Sequence, residues 1–278
     1  MSRASPNKIG SRGAREPQNG VVLRPGAETH QLFLFPGGGG DCLELAPLAS
    51  LLDAPWSVIG IEAWRPTDVS SEPPRTVYEM ARTARDAIKA VQQHGPYRLA
   101  GYSLGGLVAL ETANALLRSG EEVQFLALID CAIYQRFWSA RQRLRGRLRR
   151  IARFFRTPAR TNLAKTMGHA RAFARRLVMQ LRRESRQPLA TAERCEAAFR
   201  IYRPRAYPGR AFVVGPDRSR EVGVDFAALW EGFAGAVEVI RVPGGHLELV
   251  RSGEHLKDLA RALSDALRST ATNGPDGA

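Results

Sequence analysis

The chain has 278 residues, 44% of them hydrophobic, and a formal net charge of +14. That apolar content can build one substantial core, so a single α/β domain with an insertion is expected. Its three cysteines, Cys42, Cys131 and Cys195, lie far apart with no Cys-x-x-Cys pair, so neither a disulfide framework nor a zinc site is suggested.

Residues 1–28 are basic and rich in Gly, Pro, Ser and Asn, without the apolar stretch of a signal peptide, and read as a disordered lead-in. Gln31 to Phe35 reads as a buried strand running into Pro36-Gly37-Gly38-Gly39-Gly40. A helical stretch around Leu43 to Leu52 and a strand from Ser57 to Ile61 follow. Thr76-Val77-Tyr78-Glu79 is a capping box, and Val77, Met80, Ala84, Ile88 and Val91 make one helical face. After the breaker His94-Gly95-Pro96 comes a short strand, Tyr97 to Ala100. An apolar helix then runs from Leu104 to a left-handed cap at Gly120. Phe125 to Ile129, Ala211 to Val214 and Val237 to Val242 supply further strands, and Leu256, Leu259, Leu263 and Leu267 mark a closing helix. Alternating strands and helices predict a mostly parallel sheet covered on both faces. Residues 29–268 make up the expected domain, and 269–278 the expected frayed tail. No run approaches ~18 apolar residues, so no transmembrane segment is expected and a cytoplasmic, reducing location fits.

Charge is distributed unevenly. Residues 136–190 hold 17 of the 41 basic residues and 1 of the 27 acidic ones, a net of +16; the remaining 24 basic and 26 acidic residues leave −2. Within this segment Leu144, Leu148, Ile151 and Phe155 share a helical face, as do Leu163, Met167, Ala170, Leu177 and Leu181. Amphipathic helices inserted at 135–200, beyond the strand ending at Ile129, predict a helical lid over the ends of the strands. No groove-reading motif accompanies the arginines, which argues against nucleic acid.

Gly101-Tyr102-Ser103-Leu104-Gly105 lies between a strand and a helix. A serine flanked by glycines at such a junction is a nucleophile elbow, in which the tight turn pushes the hydroxyl clear of the backbone. A serine needs a base, and the base needs an acid to orient it. His246, in Pro243-Gly244-Gly245-His246 directly after the last expected strand, is the favoured base over His30, His94, His169 and His255. Two aspartates compete for the acid, and both keep the order Ser, Asp, His. Asp130 ends a buried strand, where an unpaired carboxylate is costly, whereas Asp217 lies in Gly215-Pro216-Asp217, ordinary turn chemistry. Burial favours Asp130. The oxyanion hole is expected from the N–H of Leu104 and that of Gly37, with Gly38 as the alternative. A dinucleotide site fails on spacing, since Gly-x-Gly-x-x-Gly requires glycine where Cys42 or Leu43 stands.

Taken together, Leu32 to Gly39, His94 to Gly106, Leu126 to Asp130, Tyr202-Arg203-Pro204, Tyr207-Pro208-Gly209 and Gly245-His246 resemble the thioesterase domains of non-ribosomal peptide and polyketide synthases, over about residues 30–268. The resemblance implies an α/β-hydrolase fold and a serine thioesterase using Ser103, His246 and Asp130, the acid following the strand after the nucleophile helix. It implies no cofactor of the protein's own, because the phosphopantetheine arrives with the substrate. The implied partner is an acyl or peptidyl carrier protein, or else an acyl-CoA, either of which the arginine-rich segment suits by charge. Two features depart from the family: its lid is not typically this arginine-rich, and no carrier domain precedes the fold in these residues, as in a free-standing enzyme. The alternatives are an acyl-CoA thioesterase or carboxylesterase acting on free substrate, and a non-catalytic module that docks acidic proteins or membrane through its arginines.

Overall fold

The computed structural model describes residues 20–53, 55–62, 73–133, 144, 148, 191–217, 226–251 and 253–271. The chain begins with β1 (Gly20–Arg24) and β2 (Ala27–Phe35), a 3-10 turn at Cys42–Leu45, α1 (Ala46–Leu51) and β3 (Trp56–Ile61). There follow α2 (Val77–Val91), β4 (Tyr97–Tyr102), α3 (Leu104–Arg118) and β5 (Val123–Ile129). The later part adds α4 (Thr191–Ile201), β6 (Tyr207–Pro216), α5 (Phe226–Trp230), β7 (Ala234–Val242), α6 (Glu248–Arg251) and α7 (Glu254–Ala271).

These strands form one seven-stranded sheet in the order β1-β3-β2-β4-β5-β6-β7. Every neighbouring pair is parallel except β1 with β3. The central strands are apolar at successive positions because both their faces are covered. Phe33, Phe35, Leu126 and Leu128 point into a core shared with α2 and α3, while Leu32, Leu34, Phe125 and Ala127 point into a second core shared with α1 and α7.

Local signals explain the element ends. The Thr76 hydroxyl accepts the Glu79 N–H at 3.1 Å, and Glu79 reaches back to the Arg75 N–H at 2.7 Å, one residue earlier than the ideal box. Helix α3 stops at Gly120, whose φ of +79° is left-handed, as expected.

The structure departs from the sequence reading in four places. First, β1 lies inside the stretch 1–28 expected to be disordered; Val21 and Val22 pair with β3, with Leu23 at an irregularity before Arg24, although the surrounding composition is that of a linker. Second, α7 continues to Ala271, into the expected tail. Third, the single helix expected around Leu43 to Leu52 divides into a 3-10 turn and α1, with Pro47 in the first turn of α1. Fourth, within the expected lid only Leu144 and Leu148 fall among the described residues before α4; both are helical and more than half exposed. The other lid positions, Ile151 to Leu181, lie outside the described residues.

Candidate active site

A parallel sheet delivers the ends of its strands to one edge, and the loops there build the site. Pro36 follows β2, Ser103 follows β4, Asp130 follows β5, Asp217 follows β6 and His246 lies past β7. All the residues singled out by motif are therefore on the same edge of the sheet.

The turn at Ser103 is held by backbone contacts. Ser103 has φ +55° and ψ −120°, a conformation that L-residues adopt only when their surroundings impose it. Its N–H donates to the Ile129 carbonyl at 2.8 Å, and its carbonyl accepts the Gly106 N–H at 3.1 Å. A Cβ on Gly101 would lie 2.2 Å from the Gly105 oxygen, and one on Gly105 would lie 2.3 Å from the Pro36 oxygen. Strand and helix close on each other too tightly for any side chain there. The glycines of the motif are thus required by packing as well as by backbone freedom.

Asp130 and His246, 116 residues apart, meet with Nδ1 to Oδ2 at 2.6 Å. The Asp130 side chain is only 10% exposed, and pairing with the imidazole relieves the cost of burying it. Asp130 itself has φ +42°, and its N–H donates to the Val214 carbonyl at 2.7 Å, so the chain bends just past β5. Tyr102, the residue before Ser103, stacks on the His246 ring with centroids 5.0 Å apart, and its hydroxyl donates to the His246 carbonyl at 2.8 Å. These two contacts bring the imidazole alongside the elbow. Burial first, then the carboxylates of Asp130 and Glu44, push the Tyr102 hydroxyl above its ordinary range, so it remains a hydrogen-bond donor. An imidazole held through Nδ1 leaves Nε2 to exchange a proton with a hydroxyl.

Asp217 is placed elsewhere. Its Oδ1 accepts the Gly244 N–H at 3.1 Å, so it bonds the backbone of the His246 loop, whereas Asp130 bonds the imidazole. Of the other histidines, His94 is solvated beside Glu121 and His255 packs against Gly244. The His30 side chain and His169 lie outside the described residues.

The two glycine amides are not equivalent. The Gly37 N–H donates to Glu44 Oε1 at 2.6 Å and is therefore already engaged. No bond to the Gly38 N–H occurs among the described residues, and Gly38 is partly open, with Cys195 of α4 alongside it. The expected donor Gly37 thus gives way geometrically to its alternative, Gly38. Leu104, the first residue of α3, has an N–H without a partner in the preceding turn.

Tyr102, Glu44 and Glu248 were not singled out from sequence. Glu248 alone carried a legible signal, the Gly-x-x-Glu spacing from Gly245 that allows a side chain to cap a helix start.

Among the described residues, Asp41, Cys42 and Glu62 bring ligand-type atoms within 4.8 Å of one another. Burial, reinforced by Glu62, pushes the Cys42 thiol up to about 12, and it bonds Glu62 Oε1 at 3.5 Å. A thiol held protonated in this way is a hydrogen-bond donor, and Cys42 with Glu62 reads as a buried polar contact beside the exposed Asp41. No helix among the described residues is long and apolar enough to cross a membrane.

Comparison with known proteins identifies the family. Residues 30–267 match the thioesterase domain family. Over 120 residues the chain is 40% identical to indigoidine synthase of Dickeya dadantii (strain 3937), covering 43% of this chain and 8% of that one. Over 99 residues it is 37% identical to enterobactin synthase component F of Escherichia coli (strain K12), covering 36% of this chain and 8% of that one. The chain thus spans less than a tenth of the length of either relative. Among solved structures, the NocB thioesterase domain, in covalent complex with a fluorophosphonate nocardicin G analog, aligns with TM-score 0.56 and 27% identity over 86% of this chain and 94% of that one. The thioesterase domain SrfTE, which cyclises the lipopeptide antibiotic surfactin, aligns with TM-score 0.56 and 19% identity over 91% of this chain and 97% of that one; at that identity the likeness concerns the α/β-hydrolase fold alone.

Proposed function

Because the chain belongs to the thioesterase domain family, and so is a hydrolase acting on thioesters, we propose that it works as a serine thioesterase releasing an acyl or peptidyl chain from a phosphopantetheine carrier protein. The Ser103 hydroxyl attacks the thioester carbonyl while His246 Nε2 takes its proton, and Asp130 holds Nδ1–H and stabilises the imidazolium. The tetrahedral oxyanion accepts the N–H groups of Leu104 and Gly38. Collapse breaks the carbon–sulfur bond, His246 returns the proton to the departing thiol, and an acyl ester of Ser103 remains. Water or a nucleophile on the chain then releases the product. The reaction draws on no cofactor of the protein's own; the phosphopantetheine belongs to the substrate.

One observation carries this reading: the Asp130–His246 bond of 2.6 Å, made beside a serine held at φ +55°. The covalent fluorophosphonate complex of the NocB domain supports it by chemistry, since such reagents capture activated nucleophiles. Similarity to nonribosomal peptide synthetases of Aspergillus terreus (strain NIH 2624 / FGSC A1156), 37% identical over 122 and 111 residues, supports a carrier-bound peptidyl substrate. The net charge of +16 in residues 136–190 suits an acidic carrier, steering encounter through charge.

The test is mass spectrometry of the Ser103 peptide after incubation with a peptidyl carrier protein, the matching CoA thioester and a p-nitrophenyl ester. Acylation of Ser103 fastest from the carrier supports the reading. Equal rates from all three donors would transfer the enzyme to free acyl-CoA or ester substrates, and an unmodified Ser103 with product formed would overturn the acyl-enzyme.

A further inference from the structure

His246 reaches Asp130 across an intervening strand. Asp130 follows β5 and His246 follows β7, with β6 paired between them. At roughly 4.8 Å per strand, the loop after β7 must fold back over the end of β6 to bring the imidazole to its acid. The His246 side chain is 48% exposed, so little packing around the ring fixes that course.

Two carboxylates hold this loop. Asp217, at the end of β6, accepts the Gly244 N–H at 3.1 Å, tying the strand being crossed to the loop that crosses it. Glu248, in the first turn of α6, accepts the Gly245 N–H at 3.0 Å, while the Gly245 carbonyl accepts the Glu248 N–H at 3.0 Å. That reciprocal pair starts a helical turn directly around His246. Glu248 is steadied in turn by His255 of α7, whose Nε2 lies 3.7 Å from the same oxygen. The His255 ring fills the space where a Cβ on Gly244 would stand, and Gly244 has φ +109°, so only glycine can take this path.

We propose that Asp217 and Glu248 are positioning residues for His246: by fixing two consecutive amides at the fold-back, they hold the imidazole in register with Asp130 and Ser103. The inference rests on His246 being the base. It gives Asp217 a role through the backbone, distinct from that of the acid. A displacement of about 1 Å at a reacting group can cost on the order of 100-fold in rate, which sets the scale of what the two carboxylates protect.

The experiment compares Asp217→Ala, Asp217→Asn, Glu248→Ala and Glu248→Gln with wild type, using an acyl N-acetylcysteamine thioester. Turnover is normalised to sites titrated with a fluorophosphonate, so loss of folded protein does not register as loss of rate. Asp217→Ala is expected to lower kcat by roughly 10- to 100-fold with KM nearly unchanged, and Asp217→Asn, whose amide oxygen still accepts, to recover most of it. Glu248→Ala should behave alike with a smaller drop, and Glu248→Gln should recover. Proton NMR offers a second reading: the downfield His246 Nδ1–H signal should be lost in the alanine variants and kept in the amide ones. Glu248 is a surface side chain, so its truncation carries the test if Asp217→Ala does not fold. Wild-type kcat in both alanine variants would overturn the proposal, and so would equal impairment of Asp217→Asn and Asp217→Ala, which would return the acid role to Asp217. Wild-type turnover in His246→Ala would overturn the base on which the proposal rests, a failure distinct from that of the two carboxylates.

Discussion

The turn carrying Ser103 and the loop carrying His246 face each other across the same edge of the sheet, yet they are held in different ways. Around Ser103 the restraints are backbone on backbone: Gly101 against Gly105, Gly105 against the Phe35 and Pro36 carbonyls, and the Ser103 N–H on Ile129. Around His246 the backbone bonds that start α6 at the Gly245 carbonyl are joined by bonds from side chains: Asp217 on Gly244, Glu248 on Gly245, and the Tyr102 hydroxyl on the His246 carbonyl. A backbone contact at van der Waals limit has no alternative arrangement, whereas a carboxylate can be replaced or displaced singly. The proposed nucleophile is therefore built into the fold, while the proposed base is also held by separable side-chain bonds that can be tested one at a time.

The strongest test removes the proposed nucleophile. Ser103→Ala should lower kcat by roughly 10³- to 10⁶-fold while leaving the unfolding midpoint almost unchanged, as measured by single-turnover kinetics and denaturant titration. Asp130→Asn should follow, with a drop of about 10³- to 10⁴-fold. A larger loss from Asp217→Asn than from Asp130→Asn would reverse the roles drawn for the two aspartates.

Stability separates the two regions. Gly105→Ala places a methyl against the Phe35 and Pro36 carbonyls and should destabilise by about 2–4 kcal/mol, read from the denaturant midpoint. A cost below about 1 kcal/mol would show that the elbow yields more than its contacts suggest. On the opposing side, Tyr102→Phe keeps the ring stacked on His246 and deletes one bond to the loop. A loss of about 1 kcal/mol, or roughly fivefold in kcat, is expected.

The mildest effect concerns the buried thiols that back this edge. Burial raises Cys195, beside Gly38, to about 11, and burial with Glu62 raises Cys42 to about 12. A folded pKa above the unfolded value of 9.0 stabilises the folded state fully below pH 9, and the contribution is lost as pH climbs through 11 and 12. Unfolding midpoints measured from pH 8 to 11 should fall above pH 9, and Cys195→Ser should flatten that fall; a flat wild-type profile would count against the burial argument. Neither thiol should react with a disulfide reagent at pH 8 until the protein unfolds.

Elements whose signal is local were readable from residues alone. The box at Thr76 and Glu79, the cap at Gly120 and the central strands all appear where periodicity put them, because each depends on neighbours within about one turn or one strand. Strand β1 was missed because its three apolar residues are surrounded by linker-like composition, and its stability comes from pairing with β3, some forty positions away. Gly37 was expected as a donor because the motif allows it. The structure engages its amide with Glu44, a contact that depends on how the 3-10 turn folds back.

By itself, the sequence determined the elbow at Ser103, a chain order of serine, aspartate and histidine, and the parallel architecture, since glycine spacing and apolar periodicity act over a few residues. Tertiary structure alone decided which aspartate meets the imidazole, which glycine amide stays open and what holds the His246 loop. Those outcomes turn on distances of about 3 Å between groups as many as 116 residues apart. Such distances follow from strand order and loop course, which no local pattern encodes.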